Sequence, residues 1–547
     1  MNFLKKMRLS KKSGTIMHKK RELFLIFSLP IIITFLFELL STQIYIERFY
    51  NFIENLCFTY LLILPAFIIK KQAIKIFYLK TLYIFLAIML FLETGYYFIF
   101  NSKFSPSSIF IISETNFNEA KEFLLFYLNI KMLLLLFILI IVTIYFLLKS
   151  KDFFGKVIDT NRKLLVLILF VFFSILLLAI SYTRRENLPF LIAKSFYDLN
   201  KDSYFDDYLI SGDSFGPFTE NFKNESNVDE TIVIIIGESI SKRHLNIYGY
   251  ERNTTPLLSK LKEEILIYND VVSANSYTTA ALSKALILDK TNGTIIQLLN
   301  KAGFKTYWLS NQNPIGLNES LVSKIAKSSD NKSFITASRF DKNIIYDEEL
   351  LVELDDALKS TKHKKIIFIH LQGAHFDYKY RYPKNYNYFI DAPKSKFSKS
   401  EETNNIVNAY DNAILYHDFI LNSIIIKVKN ENISSAILYF SDHGEEVYDT
   451  MEFTGHNDDV GSIPMFQIPF LLWQSESFKS NNEIDINLDR SYMTDDLFHS
   501  IADLCNINSN YVDLEKSIFS KKFKKRKRII LNNKDYDSIL NVEKNKN

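Results

Sequence analysis

Apolar residues dominate the first third of the chain and mix with polar residues in the remainder. Up to about residue 183 the sequence is rich in Leu, Ile and Phe, and apolar segments stand out at roughly 23–41, 51–69, 77–100, 123–148 and 164–182. A helix needs about 20 such residues to cross a bilayer. The pattern therefore predicts an all-α, five-helix transmembrane domain over residues 1–183.

Basic residues between these segments predict the direction of the spans. Lysine and arginine cluster in the N-terminal arm, between the second and third segments, and between the fourth and fifth, whereas the loops near 42–50 and 101–120 carry few. Because cytoplasmic loops carry the excess of basic residues, we expect a cytoplasmic N-terminus and an external location for the chain after residue 183. The arm has no small-residue cleavage site, which indicates a retained anchor.

Three ionisable side chains fall in or near the predicted spans: Glu38, Glu93 and Lys131. Charge at membrane depth is costly and therefore hints at function. We expect Glu38 to lie at the membrane interface and Lys131 to extend toward water. Glu93 is deeper in its segment and near the external side, so it is a candidate for contact with a lipid headgroup.

The pattern changes after residue 183. Residues 184–229 mix aromatic and charged side chains, as in a connector at a membrane surface, although a plain linker is the alternative. Strand-like runs then occur at 231–236, 305–309, 365–370, 435–440 and 467–473, and helix-like stretches lie at about 257–265, 279–287, 294–302, 347–360, 403–428 and 494–503. This alternation predicts that residues 230–547 form an α/β domain, with a mainly parallel sheet and helices on both faces.

Polar side chains directly follow two of the predicted strands. Glu238 comes after an apolar run that ends at Gly237, and Asp442 and His443 come after the strand SAILYF and Ser441. Ligands of open α/β sheets bind beyond the carboxyl ends of the strands, so we expect these three side chains to lie together. Carboxylate and imidazole ligands suit Zn²⁺ or Mn²⁺ better than Mg²⁺. The two strand ends therefore predict a metal site.

A third stretch supplies a candidate nucleophile. Residues 275–282 are typical of a loop that enters a helix, and a helix N-terminus holds phosphate well. The hydroxyl of Thr278 or Thr279 would attack if a metal or base removed its proton; alternatively, either residue is an ordinary N-cap. His375 and His456 lie in loops after the same sheet edge and are candidates for a second metal or for contact with a phosphoryl oxygen.

Charge and cysteine content exclude few functions. The formal net charge is +4, which gives no reason to expect a nucleic-acid partner. Cys57 lies in the apolar part and Cys505 is alone in the polar part, so we expect no disulfide within the polar domain. The basic run at 521–528 is either a solvated patch or a surface that attracts anionic headgroups or phosphorylated sugar.

Several motifs occur in one order: GES followed by Arg243 and YGYERNTTP, then YTTAALSKAL, HLQGAHFDYKYRYP, YDNAILYHDFIL and SDHGEE. Together they closely resemble the membrane-bound phosphoethanolamine transferases of Gram-negative bacteria, in the alkaline phosphatase/sulfatase-like superfamily. The resemblance covers the whole soluble domain. Many members read Cys-Gly-Thr where this chain reads Ser276-Tyr277-Thr278. Because no disulfide is expected in its soluble domain, the chain resembles the disulfide-poor branch of the family, which is associated with modification of lipopolysaccharide core sugars.

The resemblance implies a site and a reaction. Glu238, Thr278, Asp442 and His443 would bind zinc, with Thr278 rather than Thr279 as the nucleophile. His375 and His456 would contact the transferred phosphoryl group or a second zinc. The expected enzyme is a multi-pass inner-membrane protein with a periplasmic catalytic domain. It would move phosphoethanolamine from phosphatidylethanolamine to lipopolysaccharide, either lipid A or core sugar, or to another surface acceptor.

Two other functions remain open at this point. The first is a phosphoglycerol transferase of the lipoteichoic-acid-synthase type, which also joins five spans to such a domain and a threonine. The second is a catalytically inactive membrane sensor or scaffold. A formylglycine sulfatase is not expected, because the chain contains no C-x-P-x-R or S-x-P-x-R motif.

Overall fold

The computed structural model divides into two compact units, residues 1–110 with 125–199 and residues 111–124 with 200–547. It describes residues 22–40, 46–100, 117–154, 163–184, 187–202, 214–219, 229–312, 321–336, 344–360, 364–458, 460–531 and 533–544, with a few isolated positions between 101 and 116. The predicted linker residues 203–213 and 220–228 lie outside the described residues. The division into a transmembrane domain, a linker and a catalytic domain stays a prediction.

The first unit is helical. Its helices cover residues 22–38, Ile46–Ile63, Gln72–Phe100, Ile130–Phe154, Lys163–Arg184 and Leu188–Asp202, and a separate helix covers Phe117–Tyr127. Among the described residues, Gln72–Phe100 and Ile130–Lys149 are long and apolar enough to cross a membrane, and Leu164–Ala179 is a shorter apolar helix. The count of five spans therefore remains a prediction.

The fourth apolar segment is not one helix, contrary to the prediction of 123–148. The helix that contains residue 123 ends at Tyr127, and the next begins at Ile130. Asn129 causes the new start, since its side-chain oxygen accepts a hydrogen bond from the backbone N–H of Met132 at 3.1 Å, as an N-cap does. The apolar pattern continues through this break, since apolar residues occur on both sides of it.

The ionisable side chains of this unit are largely buried. Glu38 is buried within the unit and accepts a hydrogen bond from the Thr94 hydroxyl at 2.9 Å. Its expected location at the membrane interface stays a prediction. Glu93 is also buried and accepts hydrogen bonds from the amides of Asn51 at 2.7 Å and Asn55 at 3.0 Å. Lys131 is exposed.

A seven-stranded sheet forms the centre of the second unit. Its strands are β1 (Glu230–Gly237), β2 (Ile265–Ile267), β3 (Lys305–Ser310), β4 (Asn331–Phe334), β5 (Lys364–His370), β6 (Ser434–Ser441) and β7 (Phe470–Gln474), in the order β2-β7-β6-β1-β5-β3-β4. The central strands β6, β1, β5 and β3 and the edge strand β4 run parallel, whereas β7 is antiparallel to β6 and β2 is antiparallel to β7.

Helices cover both faces of this sheet, as the sequence predicts. They are Pro256–Lys260, Thr278–Leu286, Ile295–Lys301, Leu321–Lys327, Leu350–Leu358, Glu401–Asn430, Glu476–Asn481, Leu497–Leu504 and Tyr536–Lys544. Alternate residues of β1 point to opposite faces: Ile234 packs in the core with Leu282 and Leu298, and Ile235 packs in the other core with Leu354 and Ile414. A strand buried on both faces reads as the continuous apolar run seen in the sequence.

Smaller pairings complete the second unit. Two-stranded ladders join Val271–Val272 to Tyr492–Met493, Ile287–Leu288 to Gly293–Thr294, Glu446–Val447 to Thr454–Gly455, and Ile529–Ile530 to Lys534–Asp535. Both cysteines, Cys57 and Cys505, are buried, and neither is part of a disulfide.

Two predicted elements of this unit are wrong in their bounds or direction. The strand predicted at 467–473 begins only at Phe470, directly after Pro469, and runs antiparallel to its neighbour; proline has no N–H to give to a ladder. The helix predicted at 257–265 ends at Lys260, because Ile265–Ile267 instead pairs with β7 at the edge of the sheet.

Candidate metal and phosphoryl-transfer site

The backbone ladder of the two central strands brings the predicted metal ligands together. Strands β1 and β6 are parallel neighbours, and Gly237 pairs with Ser441 at their carboxyl ends. Glu238 and Asp442 are the next residues on each strand. One ligand atom from each of Glu238, Asp442 and His443 lies within 4.8 Å of the others, and all three side chains are buried. The sheet edge therefore assembles the three groups that the sequence predicts.

Thr278 is the first residue of the helix Thr278–Leu286. Its Oγ1 donates a hydrogen bond to Glu238 Oε2 at 3.0 Å and lies 3.5 Å from His443 Nε2. The N-cap position belongs to Tyr277, and no side chain caps this helix. The alternative role as an ordinary cap therefore does not describe Thr278, whose hydroxyl faces the carboxylate and the imidazole.

The imidazole of His443 is held in one tautomer. Its Nδ1 lies 2.8 Å from the carbonyl oxygen of Gly444, and since a carbonyl can only accept, Nδ1 carries the hydrogen. Nε2 then faces the Glu238 and Asp442 carboxylates, at 3.4 and 3.5 Å. This is the arrangement in which a backbone partner on one ring nitrogen orients the other for a metal.

Asp442 is oriented through one of its two oxygens. Oδ1 accepts hydrogen bonds from the backbone N–H of His443 at 2.7 Å and of Ser239 at 3.1 Å. Oδ2 is buried and has no hydrogen-bond partner within the described structure. An orphaned carboxylate oxygen is costly in a buried position, and a cation among these groups would satisfy it.

The charges of this cluster compete in the absence of a cation. Burial and the nearby Glu238 carboxylate raise the pKa of Asp442 well above its usual value. Burial disfavours the charged imidazole of His443, but the Asp442 charge and the bond to Glu238 outweigh it and raise its pKa to about 10. A divalent cation would remove this competition, because it favours two ionised carboxylates and a neutral imidazole. The residues therefore fit Zn²⁺ or a similar ion.

His456 lies against this cluster. Its ring centroid is 4.2 Å from that of His443, and its Nδ1 lies 2.7 Å from Oε2 of the buried Glu445. The other oxygen of Glu445 accepts a hydrogen bond of 2.6 Å from the Tyr378 hydroxyl. Ligand atoms of His443, Glu445 and His456 form a second group within 4.8 Å, so this group could hold a metal or orient the imidazole of His456.

His375 lies in the loop that follows β5, and it is not part of either group of ligand atoms. Its Nδ1 lies 2.9 Å from the carbonyl oxygen of Phe376. Arg381 binds this loop, since it donates to the carbonyl oxygens of His375 at 2.7 Å and Phe376 at 2.6 Å and pairs with Glu122 at 2.6 Å. The structure therefore fixes the backbone around His375 near the site.

Gly373 brings the same loop against the backbone of Glu238. The N–H of Ala374 donates to the Glu238 carbonyl oxygen at 3.0 Å. Gly373 has φ of +54°, and a Cβ there would meet that carbonyl oxygen at 2.6 Å. Only glycine allows this approach.

Several residues of the site were missed by sequence reasoning. Gln312 donates to Glu238 Oε2 at 3.4 Å and to the Leu371 carbonyl oxygen at 3.1 Å. Ser276 donates to Asp458 at 2.7 Å and so joins the loop before Thr278 to the loop after His456. Nothing in the local sequence signals these long-range contacts. Glu445 could have been found, because it follows the DHG motif directly.

Residues 230–507, just over half of the chain, match the Sulfatase family model. Together with a mainly parallel sheet whose carboxyl-end edge carries the cluster, this match shows that the chain belongs to the Sulfatase family. The predicted fold class and the predicted resemblance are confirmed. Membership of this family describes the domain at residues 230–507 and does not by itself mean sulfatase activity. The chain has no motif for a formylglycine nucleophile.

Relatives of the chain within this family are named phosphoethanolamine transferases. The chain is 29% identical over 531 residues to "Phosphoethanolamine transferase EptC" of Escherichia coli (strain K12), covering 90% of each chain. It is 27% identical to "Phosphoethanolamine transferase CptA" of Salmonella typhimurium, covering 82% of this chain and 83% of that one.

Two solved structures agree with this description. The C-terminal periplasmic domain of EptC from Escherichia coli, in complex with Zn, matches with a TM-score of 0.56 and 33% identity, over 58% of this chain and 96% of that one. The integral membrane protein lipooligosaccharide phosphoethanolamine transferase A of Neisseria meningitidis matches with a TM-score of 0.65 and 19% identity, over 91% of this chain and 98% of that one. The second likeness concerns the fold, and it extends through the helical N-terminal region.

Proposed function

We propose that this protein is a zinc-dependent phosphoethanolamine transferase that moves phosphoethanolamine from phosphatidylethanolamine to lipopolysaccharide, on lipid A or a core sugar, or to another surface acceptor. The observation that carries the proposal is the hydrogen bond between Thr278 Oγ1 and Glu238, inside a buried group of two carboxylates and an imidazole. The names of the relatives support the transferred group, and the zinc in the related periplasmic domain supports the metal.

Glu238, Thr278, Asp442 and His443 would hold the ion. When bound, Zn²⁺ supplies positive charge that lowers the pKa of a coordinated hydroxyl and stabilises negative charge on phosphoryl oxygens. Mn²⁺ would suit the same ligand types. His375 and His456 would contact the transferred phosphoryl group, and the group around His443, Glu445 and His456 is a candidate for a second ion.

In the first half-reaction Thr278 Oγ1 attacks the phosphorus of phosphatidylethanolamine. A bond forms between this oxygen and phosphorus, and the bond from phosphorus to the glycerol oxygen breaks. The hydroxyl proton of Thr278 leaves along its hydrogen bond to Glu238. His456, which Glu445 orients, delivers a proton to the departing oxygen, so diacylglycerol leaves as a neutral alcohol.

In the second half-reaction an acceptor hydroxyl or phosphate attacks the same phosphorus. The acceptor–phosphorus bond forms, and the proton of an acceptor hydroxyl passes to His456, which restores its starting state. The Thr278–phosphorus bond breaks, and Thr278 takes back its proton from Glu238. The donor lipid and diacylglycerol stay in the bilayer throughout, which gives a physical reason for the attached apolar helices. We infer five spans, a cytoplasmic N-terminus and a periplasmic catalytic domain in the inner membrane.

The test uses the full-length protein in nanodiscs that contain phosphatidylethanolamine. Mass spectrometry should find one phosphoethanolamine on the peptide that carries Thr278. The Thr278→Ala variant should lose this label and all transfer, whereas Thr279→Ala, the matched control, should keep both. Full transfer by Thr278→Ala would contradict the proposal.

The same experiment separates the other two functions. Nanodiscs made with phosphatidylglycerol instead of phosphatidylethanolamine would label a phosphoglycerol transferase. No label from either donor, in a folded protein that contains zinc, would indicate a sensor or scaffold.

A further inference from the structure

The basic run at 521–528 is mostly neutralised by ion pairs. Its paired members are Lys521 with Glu483, Lys524 with Glu515, Arg526 with Asp495 and Asp496, and Arg528 with Asp270 and Asp537. Lys525 and Lys527 are exposed and make no ion pair with any residue that the structure describes. These two ammonium groups are therefore available to an anion from solution.

Both lysines line a groove of about 610 Å³. Arg526 and Arg528 line it as well, together with Asp270 and Asp537, the two acids that pair with Arg528. The remaining lining residues are Leu540 and the neutral hydrogen-bonding residues Ser491 and Asn541. The side chain of Arg528 is buried, and its guanidinium lies 4.8 Å from the Tyr536 ring centroid. The groove lining thus combines a buried, ion-paired arginine with two exposed lysines.

The groove is connected to the nucleophile by a short stretch of backbone. Asp270, on the groove wall, directly precedes the strand Val271–Val272, and Ser273 then donates a hydrogen bond to the carbonyl oxygen of Asp442. From Asp270 to Thr278 the extended chain spans at most roughly 26 Å. A ligand of a few sugar rings would reach from the groove to the reacting group.

A second connection runs through the acids that pair with Arg526. Asp495 and Asp496 follow Thr494, whose hydroxyl accepts a hydrogen bond from the backbone N–H of Ala274 at 3.1 Å. The basic run therefore braces the same loop that presents the nucleophile. This shared support argues that the groove and the metal cluster serve one ligand.

We propose that the groove binds the phosphate groups of a phosphorylated saccharide, the acceptor in the second half-reaction. Unpaired ammonium groups recognise phosphate by charge-assisted hydrogen bonds, and Ser491 and Asn541 offer partners for sugar hydroxyls. The inference rests on the proposed function and assigns the contacts to the acceptor's phosphate groups to Lys525 and Lys527.

The test compares variants of the full-length protein in nanodiscs with phosphatidylethanolamine. The acceptors are purified lipopolysaccharide and the same material dephosphorylated with hydrofluoric acid. Lys525→Glu/Lys527→Glu should raise the KM for intact lipopolysaccharide by about tenfold, and raised salt should weaken the wild-type enzyme toward this acceptor. The phosphoethanolamine label on Thr278 should form at the wild-type rate, because the donor half-reaction does not use the groove.

A matched control carries the same change of charge elsewhere. Lys290 and Lys522 are exposed, do not line the groove, and make no ion pair with a described residue. Lys290→Glu/Lys522→Glu should leave the KM unchanged. With the dephosphorylated acceptor, the groove variant and the wild type should behave alike.

Three results would overturn the inference. The first is an unchanged KM in the groove variant, or an equal change in the control. The second is a groove variant that loses binding to phosphatidylglycerol vesicles but keeps its KM for lipopolysaccharide, since the groove would then bind membrane lipid. The third is labelled Thr278 without transfer to either lipopolysaccharide. A wild-type protein that never acquires the label would instead refute the proposed function itself.

Discussion

Replacing His244 tests a buried charge network in the second unit. The His244 imidazole is buried between two carboxylates, with Nδ1 2.6 Å from Asp411 and Nε2 3.3 Å from Asp449. Asp411 also pairs with Arg252 at 2.7 Å and accepts a hydrogen bond from Tyr250 at 2.9 Å. Burial opposes the charged imidazole, but the two carboxylates outweigh it and raise the pKa of His244 to about 10.

The raised pKa determines how stability depends on pH. The folded protein keeps the proton of His244 up to about pH 10, whereas the unfolded chain loses it near pH 6.5. The contribution is therefore fully present below about pH 6.5 and is lost as pH rises toward 10. Between pH 7 and 9 the loss is about 2.7 kcal/mol, and for a unit of roughly 360 residues this lowers Tm by about 4 °C.

Intrinsic tryptophan fluorescence of the full-length protein measures this unit alone. The chain has two tryptophans, and both, Trp308 and Trp473, are buried in the sheet of the second unit. His244→Gln should lower Tm at pH 7, because it removes the positive charge between Asp411 and Asp449. Of these two carboxylates, only Asp411 keeps a second cationic partner among the described residues, which is Arg252. Between pH 7 and 9 its Tm should fall by about 4 °C less than that of the wild type. Equal falls in the two proteins would refute this reasoning.

Two further predictions concern the site itself. Glu445→Gln should lower kcat about 10- to 100-fold at unchanged zinc content, because Glu445 orients His456. The control is the neighbouring variant Glu446→Gln, which should lower kcat less. Equal decreases in kcat would contradict this role of Glu445. Gly373→Ala should cost about 2–4 kcal/mol and weaken zinc binding, since its Cβ would meet the Glu238 backbone. Gly303→Ala, where φ is also positive but no atom lies within 4 Å, should cost only the backbone strain and keep zinc, as measured by thermal unfolding and metal analysis.

Local pattern was sufficient for the central strands of the second unit. The apolar run of β1 and the strand that ends at Ser441 were predicted within a residue or two of their observed bounds, because burial on both faces leaves an unmistakable sequence pattern. The edge strands were harder. Ile265–Ile267 and Asn331–Phe334 are short, and they become strands through pairing with partners far along the chain, which no local window contains.

The residues of the site likewise fall into those that the sequence predicts and those that it does not. Glu238, Asp442 and His443 directly follow buried strands, so their meeting could be inferred from topology. The sequence alone does not say whether Thr278 or Thr279 is the nucleophile, and only the family resemblance favours Thr278. The structure supports this choice, because the Thr278 hydroxyl donates a hydrogen bond to Glu238. Gln312 and Asp458 reach the site through loops, whose paths depend on tertiary contacts rather than on periodicity.

The pairing of Gly237 with Ser441 has an evolutionary consequence. Because the residues after two adjacent strands supply the ligands, the geometry of the centre is inherited from an interior ladder that tolerates little change. The surface loops around this edge carry no such constraint. A lineage can therefore exchange one acceptor for another by remodelling its loops, while the chemistry at the sheet edge passes unaltered from ancestor to descendant.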